Sequence, residues 1–161
     1  MTKRFKNAID ALVYAFFNDT LAKSECSACA VGNIVAHAFG KKLNPERLDF
    51  SVRNDNGTPN DAWGQAFATD WGYQDIVKSK LKDARVLECI NSTGYSVLEM
   101  AKVEKAFESN TKIRYSAYDN HSKDEIMQDQ YKGLMAVVSV LCEIEGIEDP
   151  SEYKELFAFQ S

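Results

Sequence analysis

The stretch from Ser122 to Gly146 constrains the fold most, because it carries the start, periodicity and stop signals of one long helix. Ser122 and Glu125 are spaced as a capping box, in which each side chain accepts the other residue's backbone N–H. Gly146 stands where helices commonly end in a left-handed glycine. Between them, apolar residues recur at three- and four-residue steps: Ile126, Met127, Tyr131, Leu134, Met135, Val138, Leu141, Cys142 and Ile144. We therefore predict a long helix at the centre of a helical fold.

Similar signals predict helices along most of the remaining chain. Thr2 can cap a first helix that ends near Asp19, and Ser96 with Glu99 forms a second capping box for a helix through about Ser109. Further apolar-periodic segments cover residues 24–40, 60–71, 76–90 and 150–159.

Two short segments, 48–52 and 113–117, instead alternate apolar and polar residues, which predicts short strands that could pair with each other. We expect a mainly α fold: a compact single-domain helical bundle of about six to seven helices over residues 1–161, with at most one minor two-stranded β element.

Composition excludes several classes of function. The chain has 161 residues with 19 basic against 24 acidic side chains, and a net charge of -5 gives no electrostatic footprint for nucleic acid. We expect no membrane partner, because no stretch approaches the roughly 18 apolar residues of a spanning helix. Four cysteines without a secretory signal indicate reduced thiols and a cytoplasmic location. No hydrolase motif or nucleotide-binding loop is present, and we expect no cofactor.

Cys26 and Cys29 form a CxxC motif within the segment 24–40, which we predict to be one helix. Helical phase gathers the apolar side chains of this segment on one face and turns Cys26, Cys29, Asn33 and His37 to the other. Backbone N–H groups at a helix N-terminus stabilise a thiolate. Cys26, Cys29 and Asn33 are therefore a hypothetical redox site, with Asn33 as the polar neighbour of the thiols.

The same two cysteines are also a hypothetical metal site, because they supply half of a tetrahedral zinc shell. The remaining ligands would come from the other cysteines and histidines of the chain, namely Cys89, Cys142, His37 and His121. None of these four belongs to a second closely spaced pair. Buried, chemically inert thiols remain an equal alternative, because cysteine is among the most buried residue types.

The CxxC motif resembles the active-site motif of the all-helical disulfide reductases associated with alkyl hydroperoxide reductase. That family carries its chemistry on a Cys-x-x-Cys-x-x-x-His run. The likeness covers Cys26 and Cys29, whereas Asn33 stands at the position of the family's histidine and Tyr14 at that of its proton-relay glutamate. No function follows from this partial match.

Three hypotheses follow from the sequence. The first is a non-catalytic helical protein that works through an unidentified protein or small-molecule partner, with the CxxC face or residues 41–59 as the contact. The second is a thiol–disulfide redox protein, the one enzymatic activity with support in the sequence. The third is metal binding through the same cysteine pair.

Overall fold

The computed structural model describes residues 1–23, 28–38 and 90–159, and within these ranges the chain is helical. Five α-helices occur in this order: α1 Lys3–Phe17, α2 Ala30–Ala38, α3 Val97–Ser109, α4 Lys123–Glu145 and α5 Ser151–Lys154. Two 3-10 helices, Tyr115–Asn120 and Glu155–Phe157, precede α4 and follow α5. The mainly α prediction is confirmed, and no strand occurs in the described ranges.

The predicted helix ends are confirmed where the sequence carries capping signals. The Thr2 side chain accepts the backbone N–H of Phe5 at the start of α1. Both capping boxes form with reciprocal hydrogen bonds, the one of Ser96 at α3 and the one of Ser122 at α4. Gly146 ends α4 in the left-handed conformation, with φ of 74°. A side-chain cap compensates for backbone groups that have no partner within the helix, so these ends follow from local sequence.

The pair α3 and α4 forms the most extensive helix contact, and the two helices are antiparallel. Arg4 bonds to Glu145 at the end of α4 and lies near Glu99 at the start of α3, while Gly133 of α4 lies against Phe107 near the end of α3. Helix α1 packs against both α2 and α4. The core between them is sealed by large side chains that are fully buried, including Phe5, Phe16, Phe107, Phe157, Leu12, Leu134 and Leu141.

The strand predicted over 113–117 is wrong. Residues Tyr115–Asn120 form a 3-10 helix instead. The Asp129 carboxylate of α4 accepts the backbone N–H groups of Lys112 and Ile113, so these donors are bonded to a side chain rather than to a second strand. Alternation over five residues also fits a short extended segment that leads into a 3-10 helix. The contact with α4 favours this structure over a strand. The other predicted strand, 48–52, lies outside the described residues.

The helix predicted over 24–40 begins later than expected, at Ala30. Its predicted cap Ser24 and its predicted stop Gly40 lie outside the described residues, as do the segment 60–71 and nearly all of 76–90. The predicted final helix is present and begins at Ser151, where Asp149 accepts both the backbone N–H and the hydroxyl of Ser151. Among the described helices, none combines the length and apolar character needed to cross a membrane.

Replacing Gly133 with alanine tests the α3–α4 contact. A Cβ at this position would lie 2.5 Å from Thr111 Cγ2 and 2.9 Å from Phe107 Cδ1, so one of the helices must shift. Alanine favours a helix over glycine by about 1 kcal/mol, whereas overpacking costs about 1–3 kcal/mol. We expect Gly133→Ala to lower the free energy of unfolding in urea, while Lys132→Ala, an exposed neighbour, changes it little. A stabilised Gly133→Ala variant would contradict the close approach.

Candidate functional site

Cys29 lies immediately before α2 and caps it. Its Sγ accepts the backbone N–H of Gly32 at 3.5 Å, and its carbonyl oxygen accepts the backbone N–H of Asn33 at 3.0 Å. The side chain is only 3% exposed. Of the two alternatives that the sequence left open, the structure shows a buried Cys29. The physical reason is that residues 30–36 of α2 are all buried, so this part of the helix has no solvent-facing side. Cys26 lies outside the described residues.

Asn33 is also buried, contrary to the prediction that placed it on an exposed face. Its Nδ2 lies 2.9 Å from the carbonyl oxygens of Thr20 and Ala28 and 3.1 Å from that of Cys29. Its Oδ1 accepts the Thr20 hydroxyl at 3.2 Å. The two flanks of residues 24–27 are joined further by the Ala22 backbone N–H, which donates to the Ala28 carbonyl at 2.8 Å. Asn33 thus holds the chain on both sides of Cys26 together.

The segment that leads into the CxxC motif is anchored from α4 and the 3-10 helix. Gln130 donates through Nε2 to the Leu21 carbonyl at 2.7 Å and to the Tyr118 hydroxyl at 2.9 Å. Tyr115 donates its backbone N–H to the Lys23 carbonyl at 3.1 Å. Burial raises the pKa of Tyr118, so its hydroxyl remains protonated at neutral pH. These contacts fix the backbone around Leu21 and Lys23.

The hypothetical site residues are brought together only in part. Cys29 and Asn33 are in contact. Both polar atoms of the Asn33 amide are bonded to backbone groups or to Thr20, so the side chain has a structural role. Among residues 1–23, 28–38 and 90–159, no three His, Cys, Asp or Glu side chains are grouped as metal ligands would be. His121 Nδ1 lies 3.0 Å from Glu125 Oε2 at the exposed start of α4. Cys142 is buried, and burial raises its pKa.

A groove that the sequence analysis missed runs between α3 and α4. Its volume is about 670 Å³. Nine residues line it: Glu99, Lys102, Lys105, Ala106, Ser109, Asn110, Val140, Glu143 and Ile144. Ala106, Val140 and Ile144 are half-buried and supply its apolar surface. The sequence did carry one signal for this groove. Most residues in the second half of α4 are apolar, which is more than a helix needs to pack one face against a core.

Charged side chains flank this apolar surface on both helices. Lys102 of α3 and Glu143 of α4 are exposed, and neither forms an ion pair with another residue of the described part of the chain. Glu99 differs from them, because its carboxylate completes the capping box of α3 and lies 3.6 Å from Arg4 Nη1. The groove therefore has a basic group and an acidic group that are available to a partner.

Arg4 fixes the end of the groove. Its Nε donates to Glu145 Oε1 at 2.6 Å, its Nη1 donates to the Gly94 carbonyl at 3.0 Å, and its guanidinium lies 4.4 Å from the centre of the Tyr95 ring. Burial, together with the nearby Glu145 carboxylate, raises the pKa of Tyr95. One side chain of α1 thus links the residues before α3 to the last turn of α4. The bond to Glu145 is part-buried and charge-assisted, and such bonds are roughly twice as strong as neutral ones.

Comparison of the chain with protein-family models, with curated proteins and with solved structures gives no match in any of the three. Two features then remain as candidates for function: the buried Cys29 beside Asn33, and the groove between α3 and α4. In the part of the chain that the structure describes, Cys29 and Asn33 are buried and serve to hold the fold together. The second is open, and its Lys102 and Glu143 form no ion pair within the part of the chain that the structure describes.

Replacing Asn33 with alanine tests whether this residue is structural. The variant removes the two N–H donors of the amide and the Oδ1 atom that accepts the Thr20 hydroxyl, at about 1 kcal/mol for each hydrogen bond lost. We expect the free energy of unfolding to fall by about 2–3 kcal/mol in urea denaturation. Asn18→Ala is the matched control, because Asn18 makes one exposed bond to the Tyr14 carbonyl. Equal effects of the two variants would contradict the structural role of Asn33.

Thiol labelling of the native protein tests the burial of the cysteines. We expect Cys29 and Cys142 to react with iodoacetamide at neutral pH only when the chain is denatured, because both are almost fully buried and thiolate formation is needed for attack. Mass spectrometry of the digested protein measures the labelled fraction of each cysteine separately. Rapid labelling of Cys29 in the native protein would contradict the burial of its side chain at the start of α2.

Proposed function

We propose that this chain is a non-catalytic helical binding protein that takes a helical segment of a protein partner in the groove between α3 and α4. The observation that carries the proposal is a groove with an apolar floor and, on its two sides, a base and an acid that have no ion-pair partner among the described residues. Large exposed apolar patches with a polar rim mark interaction sites, and the half-buried apolar residues of this groove form a small surface of the same kind. Ala106, Val140 and Ile144 form such a surface, and Lys102 and Glu143 belong to its rim.

The shape of the groove favours an elongated partner. It runs along α3 from Glu99 to Asn110, a distance of roughly 16 Å, and meets α4 over Val140 to Ile144. A helix that lies in such a groove contacts it through apolar residues spaced by three and four. The charged groups support the same conclusion, because Lys102 and Glu143 come from different helices. A small ligand is usually held by polar groups that converge on one point.

The proposal includes a cytoplasmic location and no nucleic-acid partner. Both rest on the sequence: a net charge of -5 repels a phosphate backbone, and reduced cysteines are typical of the cytosol. Cys142 carries a free thiol, which fits a reducing compartment.

Thiol–disulfide chemistry remains the second candidate function, supported by one contact. The backbone N–H of Gly32 donates to Cys29 Sγ at the N-terminus of α2, a setting that stabilises a thiolate. With Cys29 buried, Cys26 would be the attacking thiol and Cys29 the resolving one. Cys29 would then have to become accessible during turnover. The labelling experiment therefore also separates this candidate from the binding role.

Site-specific photocrosslinking tests the binding role. A benzoylphenylalanine at position 102 lies in the groove, whereas the same group at position 123 replaces another exposed lysine about 30 Å away along α4. Irradiation of cells that contain the full chain should give a crosslinked protein from position 102 and none from position 123. Equal products from the two positions, or none from either, would contradict a partner in the groove.

A pair of alanine variants adds a matched control to the crosslinking. Ala106→Gln fills the groove and leaves Val140 and Ile144 in place, whereas Ala136→Gln adds the same bulk at a half-buried alanine of α4 outside it. We expect Ala106→Gln to reduce the crosslinked product at least tenfold, equivalent to about 1.4 kcal/mol of binding free energy. Ala136→Gln should retain it. A product that is insensitive to Ala106→Gln would place the contact outside the groove.

A further inference from the structure

We infer that the partner helix of the groove is amphipathic, with acidic residues on the flank that faces α3 and a basic residue on the flank that faces α4. This inference rests on the binding role proposed above and names the chemistry of its partner. A helix in such a groove turns its apolar stripe to the floor, and its two flanks then face the α3 wall and the α4 wall. The charges of the walls therefore select the charges of the flanks.

The α3 wall is basic. Lys102 and Lys105 line the groove and are both exposed, and their spacing of three residues makes them neighbours on one side of the helix. The acid of this wall, Glu99, is engaged elsewhere, because its carboxylate accepts the backbone N–H of Ser96 at 2.8 Å and lies 3.6 Å from Arg4 Nη1. Two positive charges one turn apart favour a partner flank with two acids spaced by three or four residues.

The α4 wall carries the opposite charge. Glu143 lines the groove, is exposed and forms no ion pair with any residue that the structure describes. A helix that keeps its apolar stripe on the floor exchanges its flanks when it reverses direction, and the exchange would bring like charges together at both walls. Like-charge contacts are costly and reject wrong arrangements. The two walls therefore also fix the direction in which the partner helix runs.

Leu98 extends the α3 wall beyond the groove. Its side chain is 60% exposed, and it precedes Lys102 by four residues and Lys105 by seven, so the three side chains share one side of α3. The apolar floor is small, and a partner helix that continues past Glu99 gains a further apolar contact at Leu98. We therefore expect the partner to carry an apolar residue about one turn from the acid that faces Lys102.

Fluorescence anisotropy of the full chain with two synthetic helical peptides tests the inference. Both are about 14 residues long, or about 20 Å, and carry the same leucines at steps of three and four. The mixed peptide has glutamates on one flank and lysines on the other, whereas the basic peptide has lysines on both. The net charge of -5 alone favours the basic peptide. We expect the mixed peptide to bind about tenfold more tightly at about 0.15 M salt, which screens distant charges.

Reversal of the α3 wall locates this preference. Lys102→Glu combined with Lys105→Glu should make the basic peptide the tighter ligand, because both walls are then acidic. Lys123→Glu combined with Lys132→Glu is the matched control, since it changes the net charge equally at two exposed lysines of α4 outside the groove. The control should retain the preference for the mixed peptide. A wild type that binds neither peptide or both equally, or a reversal that leaves the preference unchanged, would overturn the inference.

Leu98→Ala tests the contact beyond the groove. We expect it to weaken binding of the mixed peptide about threefold or more, because part of the apolar contact is lost. Leu156→Ala is its control, since Leu156 is also exposed but belongs to neither helix of the groove. Equal affinities of the two variants would contradict a contact at Leu98.

The crosslinking experiment distinguishes failure of this inference from failure of the binding role. The absence of a product from position 102 rejects the binding role, and the inference falls with it. Mass spectrometry of a product identifies the crosslinked segment of the partner. A segment with two acids three or four residues apart supports the inference, whereas a segment without them overturns it and preserves the groove as a binding site.

Discussion

The close approach of α3 and α4 at Gly133 is the contact on which the rest of the described structure depends. A glycine there lets Phe107 of α3 and Thr111, two residues after α3, lie against the backbone of α4, where a larger residue would force these side chains to move. The helices are antiparallel, so this contact joins them near one end and the Arg4 contacts join them at the other. The groove lies between the same two helices.

Polar side chains anchor the segments that helical periodicity leaves undefined. Asn33 connects the two flanks of residues 24–27, and Gln130 fixes Leu21 from the opposite side. Arg4 performs the same task for the residues before α3. Asn33 and Gln130 bond to buried backbone carbonyl oxygens, which would be costly to bury without a partner. The packing around Cys29 is thus as tightly specified as that of the apolar core, and its burial is a consequence of that packing.

Cys29 and the groove differ in how each is related to the sequence: the cysteine belongs to a motif, and the groove does not. A CxxC motif draws attention because its chemistry is well defined, yet the described thiol of this motif serves as a helix cap. The groove has no motif at all. It becomes visible only when α3 and α4 are side by side, because Lys102 and Glu143 are 41 positions apart in the chain and look like ordinary exposed charges. The proposed binding role rests on what the groove combines: a half-buried apolar surface and two charges without described partners.

The sequence by itself determined the mainly α class, the starts of α1, α3 and α4 and the end of α4. Thr2, Ser96, Ser122 and Gly146 satisfy backbone groups within a few residues of themselves, so their effect needs no distant partner. Only the tertiary structure decided the burial of Cys29 and Asn33, the 3-10 helix in place of a strand at Tyr115–Asn120, and the existence of the groove. Each depends on contacts between distant segments: α2 is covered on all sides over residues 30–36, Asp129 binds the backbone at Lys112, and α3 lies beside α4. Local periodicity specifies which side chains share a helix face, but not how many faces the rest of the chain covers.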